Sequence, residues 1–97
     1  MSEKKPKTID DPIESTRLYH ERYLRAINNP LRRNILRILK EGSLSIEELL
    51  SKTGLEIEAL KWHLSILEHG SCVEKKTESG KPVYRLTQEG RVVDYMQ

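Results

Sequence analysis

The chain reads as mainly α with a small β-hairpin, and three features predict it. Apolar residues recur at helical spacing in four successive stretches between Ile13 and Glu68. Two short strand patterns around "ESGK" follow them. Thirteen leucines and eight isoleucines against no phenylalanine fit an aliphatic, mostly helical interior. At 97 residues the chain suits one domain. A core that small gains stability readily from a second copy.

Residues 1–12 read as a flexible tail, because mixed charges and two prolines leave little to bury. Lys4, Lys5 and Lys7 there are either a short basic arm or, more simply, a solvated end. The structured domain is expected over 13–97. In its first helix Tyr19, Tyr23, Ala26 and Ile27 share one face, with Leu24 beside them. "NNP" ends that helix and starts the next, Asn29 as cap and Pro30 at the first position. "PLRRNILRILKEG" is expected to bury Leu31, Ile35, Ile38 and Leu39 and to stop at Gly42.

"SIEELLSKTG" opens with a capping box of Ser45 and Glu48, and its apolar stripe is Ile46, Leu49 and Leu50. Gly54 suits the left-handed turn that follows, with Leu55 pointing inward. The fourth helix runs from about Glu56 to Glu68, with Leu60, Leu64 and Leu67 as a ridge and His63 alongside. "VEKKT" and "PVYRL" form the hairpin, Gly80 supplying its turn. "TQEGRVVDYM" reads as a last short helix capped by Thr87.

Composition narrows the function. Hydrophobic residues make up 36% and charged residues 33%, as in a soluble globular chain. No apolar run approaches a membrane span and the N-terminus is no signal peptide, so a cytoplasmic protein without a membrane partner is expected. The lone Cys72 excludes an internal disulfide and reads as a small buried hydrophobe. No Gly-rich phosphate loop, nucleophile elbow or histidine pair at metal spacing occurs, so neither an enzyme nor a cofactor is expected. A formal charge of +2 is weakly basic and permits nucleic acid without advertising it.

A helix, a glycine turn, a second helix and then a hairpin follow the winged helix-turn-helix plan. "LRAINNPLRRNILRIL", "IEELLSKTGLEIEALKWHLSILEHG" and "YRLTQEG" resemble the ArsR-type winged-helix transcriptional regulators, from about Leu24 to Arg91. That resemblance implies a homodimeric regulator of double-stranded DNA, usually a repressor. Its recognition helix would be 56–68 and its wing 73–86. The first and last helices would form the dimer interface, where Tyr19, Tyr23, Val92, Val93, Tyr95 and Met96 are candidates. Covering the monomer core is an equal alternative for about half of them. Metal-sensing members carry cysteines before the turn or Asp/His ligands on the last helix. Here "SIEELLSK" has no cysteine and Asp94 has no histidine near it, so metal sensing at those sites is not expected. His69 and Cys72 lie across a helix end and do not complete a zinc site.

The recognition helix departs from the family in opening with Glu56, Ile57 and Glu58 where small polar residues are common. Between Ser45 and Glu58 four glutamates face one lysine, a poor match for a polyanion. The simplest reading is helix-dipole stabilisation of the first turn, worth ~0.3–1 kcal/mol each. Alternatively one Glu reads the amino group of cytosine. Phosphate contacts would then come from Lys61 and Ser65 on the same helix and from Arg32 and Arg33, with Arg37, on the second helix. Lys75, Lys76, Lys81 and Arg85 would add the hairpin. Trp62 should be partly exposed and has three open roles: core cover against the hairpin, DNA contact, or anchor for a protein partner in the transcription machinery.

Overall fold

The computed structural model describes residues 12–95. Met1 to Asp11, with Lys4, Lys5 and Lys7, and the candidate Met96 lie outside the described residues. Four α-helices run in order: α1 (Pro12–Ile27), α2 (Pro30–Leu39), α3 (Ile46–Thr53) and α4 (Ile57–His69). The hairpin strands β1 (Val73–Glu78) and β2 (Lys81–Leu86) follow, and a 3-10 helix spans Glu89–Tyr95. The last helix is thus the tighter 3-10 form, and Thr87 caps it by accepting from Gly90 N at 3.1 Å.

Local chemistry sets the boundaries. Asn29 Oδ1 accepts from the amides of Leu31 and Arg32, and Pro30 occupies the first turn of α2. Ser45 and Glu48 form both halves of the capping box on α3, and Gly54 ends that helix at φ 72°. β1 and β2 pair antiparallel from Val73↔Leu86 to Glu78↔Lys81. A single bridge, Leu44↔Tyr84, holds the wing to the loop before α3, with backbone bonds of 2.9 and 2.8 Å.

The core gathers one face of each helix: Ala26 and Ile27 from α1, Ile35, Leu36 and Leu39 from α2, Leu49 from α3, and Leu60, Leu64, Ile66 and Leu67 from α4. Cys72, Val73, Tyr84, Leu86 and Val93 close it from the hairpin side. Each of these leucines contributes ~1.5–3 kcal/mol by leaving water. Two expectations for α2 are corrected. Leu31 is about half exposed, while Leu36 is fully buried. Helix α2 is covered on a wide arc by α3, α4, β2 and the 3-10 helix, which draws Leu36 and even Arg32 inside.

Candidate nucleic-acid interface

Helix α4 presents an exposed arc that starts at Glu56. Glu56 is its N-cap residue and makes no side-chain capping bond, and Glu58 lies in the first turn. Both carboxylates are exposed, and neither has an ion-pair partner among the described residues. Ile57 is 44% exposed, and Lys61, Trp62 and Ser65 continue the same face. The Ser65 hydroxyl donates to the Trp62 carbonyl at 2.7 Å, leaving its oxygen free only to accept.

The wing meets this arc. Ile57 and Lys61 of α4, Lys81 and Pro82 of β2, and Ser45, Ile46 and Glu47 at the start of α3 line one groove of about 470 Å3. Lys75 and Lys76 are exposed on β1, Lys75 with its Nζ 5.9 Å from the Tyr84 ring centroid. Arg85 is less available than its position in the sequence implies. Its Nε donates to Glu74 Oε2 at 2.7 Å across the strands, and that bond holds the Glu74 carboxyl below its ordinary pKa.

The arginines of α2 require the largest correction. Arg32 is only 6% exposed, so it is withdrawn from the candidate phosphate contacts. Its Nε donates to Ala26 O at 3.0 Å and its Nη2 to Arg25 O at 2.9 Å. Half-buried Arg33 sends Nη1 to Ile27 O at 3.0 Å. These three carbonyls end α1, where a helix leaves C=O groups without intrahelical donors and carries partial negative charge. Adjacent arginines of the next helix therefore cap the previous one. This explains how a guanidinium is buried with no carboxylate paired to it among the described residues.

Arg32 Nη1 also lies 3.1 Å from His63 Nδ1. A guanidinium only donates, so Nδ1 accepts and the His63 proton sits on Nε2. Burial, and then the Arg32 charge, push the His63 pKa below its ordinary value. The unfolded chain then binds the proton first, so stability is intact above about pH 6.5 and falls as pH drops toward the folded pKa. Replacing His63 with Asn, whose oxygen can take the Nδ1 place, should flatten this acid slope in urea melts between about pH 6.5 and 5. An unchanged slope in His63→Asn would assign it to other groups.

Trp62 lines a cleft with Arg22 and Arg25 of α1. It is 55% exposed, stands edge-on to His63 at 5.1 Å between centroids, and has Arg32 5.8 Å from its ring centroid. More than half of its surface is thus open to solvent.

Of the dimer candidates, Val93 is buried within the monomer core and is withdrawn. Tyr23 packs against that core, its hydroxyl 3.5 Å from Glu89 O, and its ring lies parallel to Tyr19 at 6.4 Å. Tyr19 is about half exposed, as are Leu18 and Leu24. Val92 and Tyr95 lie within the 3-10 helix. Cys72 is fully buried, and burial raises its thiol pKa to about 11. No cluster of three or more His, Cys, Asp or Glu is placed to hold a metal among the described residues. No helix among them is long and apolar enough to cross a membrane.

No family model and no curated protein matches the sequence. Solved structures do. HlyU from Vibrio cholerae N16961 aligns with a TM-score of 0.71 and 28% identity over 86% of this chain and 92% of that one. The homodimeric winged helix-turn-helix DNA-binding domain Mb0332 (fragment 1–100) from Mycobacterium bovis is a possible ArsR-family transcriptional regulator. It aligns with a TM-score of 0.78 and 26% identity over 91% of this chain and 83% of that one. The transcriptional repressor BigR from Xylella fastidiosa shares the fold, with a TM-score of 0.69 and 24% identity over 87% and 88% of the two chains. Helix, turn, helix and wing thus define a winged helix-turn-helix protein. These likenesses bear out the resemblance to ArsR-type winged-helix regulators.

Proposed function

We propose that this chain is a double-stranded DNA-binding transcriptional regulator, not an enzyme, that acts as a homodimer and represses. Helix α4 enters the major groove and the wing grips the backbone or minor groove. The observation that carries this reading is the shared groove in which Lys61 of α4 and Lys81 of the wing stand together beside exposed Ile57. A recognition helix and a basic wing tip on one surface suit the base and backbone contacts of one duplex. Exposed Lys75 and Lys76 add positive charge to the wing. The homodimeric Mb0332 domain and the half-exposed Tyr19, Leu18 and Leu24 of α1 support a dimer. Two recognition helices would then meet major grooves ~34 Å apart on a near-palindrome.

Glu56 and Glu58 oppose the phosphates in this arrangement, so their removal makes the test. Titrating labelled random-sequence duplex at low salt, with anisotropy and the emission of Trp62 read together, should give binding that quenches Trp62. It should weaken steeply as salt rises. Glu56→Lys with Glu58→Lys should tighten this non-specific binding about tenfold at low salt, and the gain should shrink as salt screens it. Absence of binding at low salt would sink the proposal. It would favour a second reading, a protein-interaction face. That alternative is supported by the same two unpaired carboxylates beside exposed Ile57 and Trp62. Charge reversal would then abolish capture of the partner.

A further inference from the structure

Next to the recognition arc, α1 and α4 enclose a cleft of about 230 Å3 lined by Arg22, Arg25, Trp62, Ser65, Ile66 and His69. Arg22 and Arg25 are three apart and project from the same side of α1. Trp62, Ser65 or Ile66, and His69 are successive turns of α4. Both arginines are exposed, and neither makes an ion pair among the described residues. No carboxylate lines the cleft. The buried Arg32 guanidinium, 5.8 Å from the indole centroid, adds a third positive charge nearby, and Arg25 is near enough to lower the Arg32 pKa after burial has done so.

Two exposed arginines alone are ordinary solvated charges. Three features distinguish these: both line one concave site, a buried cation lies over its tryptophan, and the half-exposed Trp62 carries it onto the face of α4. Guanidinium groups offer forked N–H donors that match phosphate oxygens, and an indole presents a flat apolar surface. Ser65 adds no donor, because its hydroxyl proton is held by the Trp62 carbonyl.

We propose that this cleft is a subsite for a backbone phosphate of duplex DNA. Arg22 and Arg25 hold the phosphate oxygens and Trp62 packs on the adjoining sugar. The inference rests on the DNA-binding reading above and deepens it. Helix α1 then contributes to the nucleic-acid surface as well as to any dimer interface. A phosphate contact positions the protein without reading sequence, so its loss should weaken binding equally on every duplex.

The test compares the full chain with Arg22→Ala/Arg25→Ala and with Arg22→Lys/Arg25→Lys on random-sequence duplex across a salt series. Each lost phosphate contact should lower the steepness of log affinity against log salt by roughly 0.9. The alanine pair, which loses this one phosphate contact, should therefore flatten the slope by about one, with a loss of at least tenfold at low salt. The lysine pair should restore most of the slope, because it keeps the charges, and melting curves should show both variants folded. A wild-type protein that binds steeply beside an alanine pair with the same slope would overturn the subsite alone. A wild-type protein that binds no duplex would overturn the DNA reading and the subsite with it. Titration with inorganic phosphate separates the remaining source. Saturable quenching of Trp62 by phosphate, lost in the alanine pair while the duplex slope stays unchanged, would assign the cleft to a free anion and overturn the proposal.

Discussion

Arg32→Ala should destabilise the protein by about 3 kcal/mol or more, against about 1 kcal/mol for Arg33→Ala. Arg32 satisfies Ala26 O, Arg25 O and His63 Nδ1 at 2.9–3.1 Å in a site with 6% exposure. Its removal leaves three acceptors without this donor, two of them in buried bonds and Arg25 O in a part-buried one, and each unsatisfied buried acceptor costs ~1–3 kcal/mol. The opposing effect is real, because burying a cation without a carboxylate costs several kcal/mol that the alanine would recover. The helix end decides the balance. Partial negative charge on the last carbonyls of α1 favours a cation there by up to ~2 kcal/mol, and the guanidinium fork meets both carbonyls at once. Lysine has a single donor head, so Arg32→Lys should recover less than half of the loss. Urea unfolding of the three variants measures this directly. A loss below 1 kcal/mol in Arg32→Ala would mean that the desolvation penalty cancels the caps. The junction of α1 with α2 would then be held by apolar packing alone.

Gly90→Ala should lower the melting temperature by at least about 10 °C, following a loss of ~3 kcal/mol or more. A Cβ at Gly90 would press into the Cys72 carbonyl oxygen, far inside contact distance, with the carbonyl carbon at 3.0 Å and Leu86 Cδ1 at 3.2 Å. The nearest obstacle, the Cys72 carbonyl, is backbone and not a flexible side-chain tip. That carbonyl accepts from Thr87 N at 3.0 Å, and Thr87 Oγ1 in turn donates to Ser71 O and accepts from Gly90 N. The network pins the 3-10 helix to the entry of β1, so relief of the clash must pull the two apart. Val93 would then leave the core, and the surface proposed for dimer contact would shift with it. A variant that melts within 3 °C of wild type would show that the 3-10 helix is free to slide. Its placement would then contribute little to the fold.

Much of this fold is legible one residue at a time because the signals are local. Asn29 with Pro30, Ser45 with Glu48, and Gly54 act on backbone groups within one helical turn, so their chemistry is complete in the sequence. The ridge of Leu60, Leu64 and Leu67 and the inward His63 follow from helical period alone. The hairpin strands and the winged arrangement are equally plain, and similar solved structures share the fold.

Side-chain partners between elements are a different matter. Arg32 looks like a surface cation in "PLRRN" until α1 ends directly above it and offers carbonyls. Arg85 looks free until the register sets it opposite Glu74. Leu31 and Leu36 exchange roles because α2 is enclosed on more sides than a single stripe supplies, and Val93 is drawn into the monomer for the same reason. Arg22 and Arg25, unremarked in a charged helix, acquire their setting only where α1 crosses α4 beside Trp62. A cap or a turn is decided by bonds to its own neighbours in the chain. The partner of a charge is decided by which helix end or strand the packing brings within 3 Å, and that is settled only when the whole core closes.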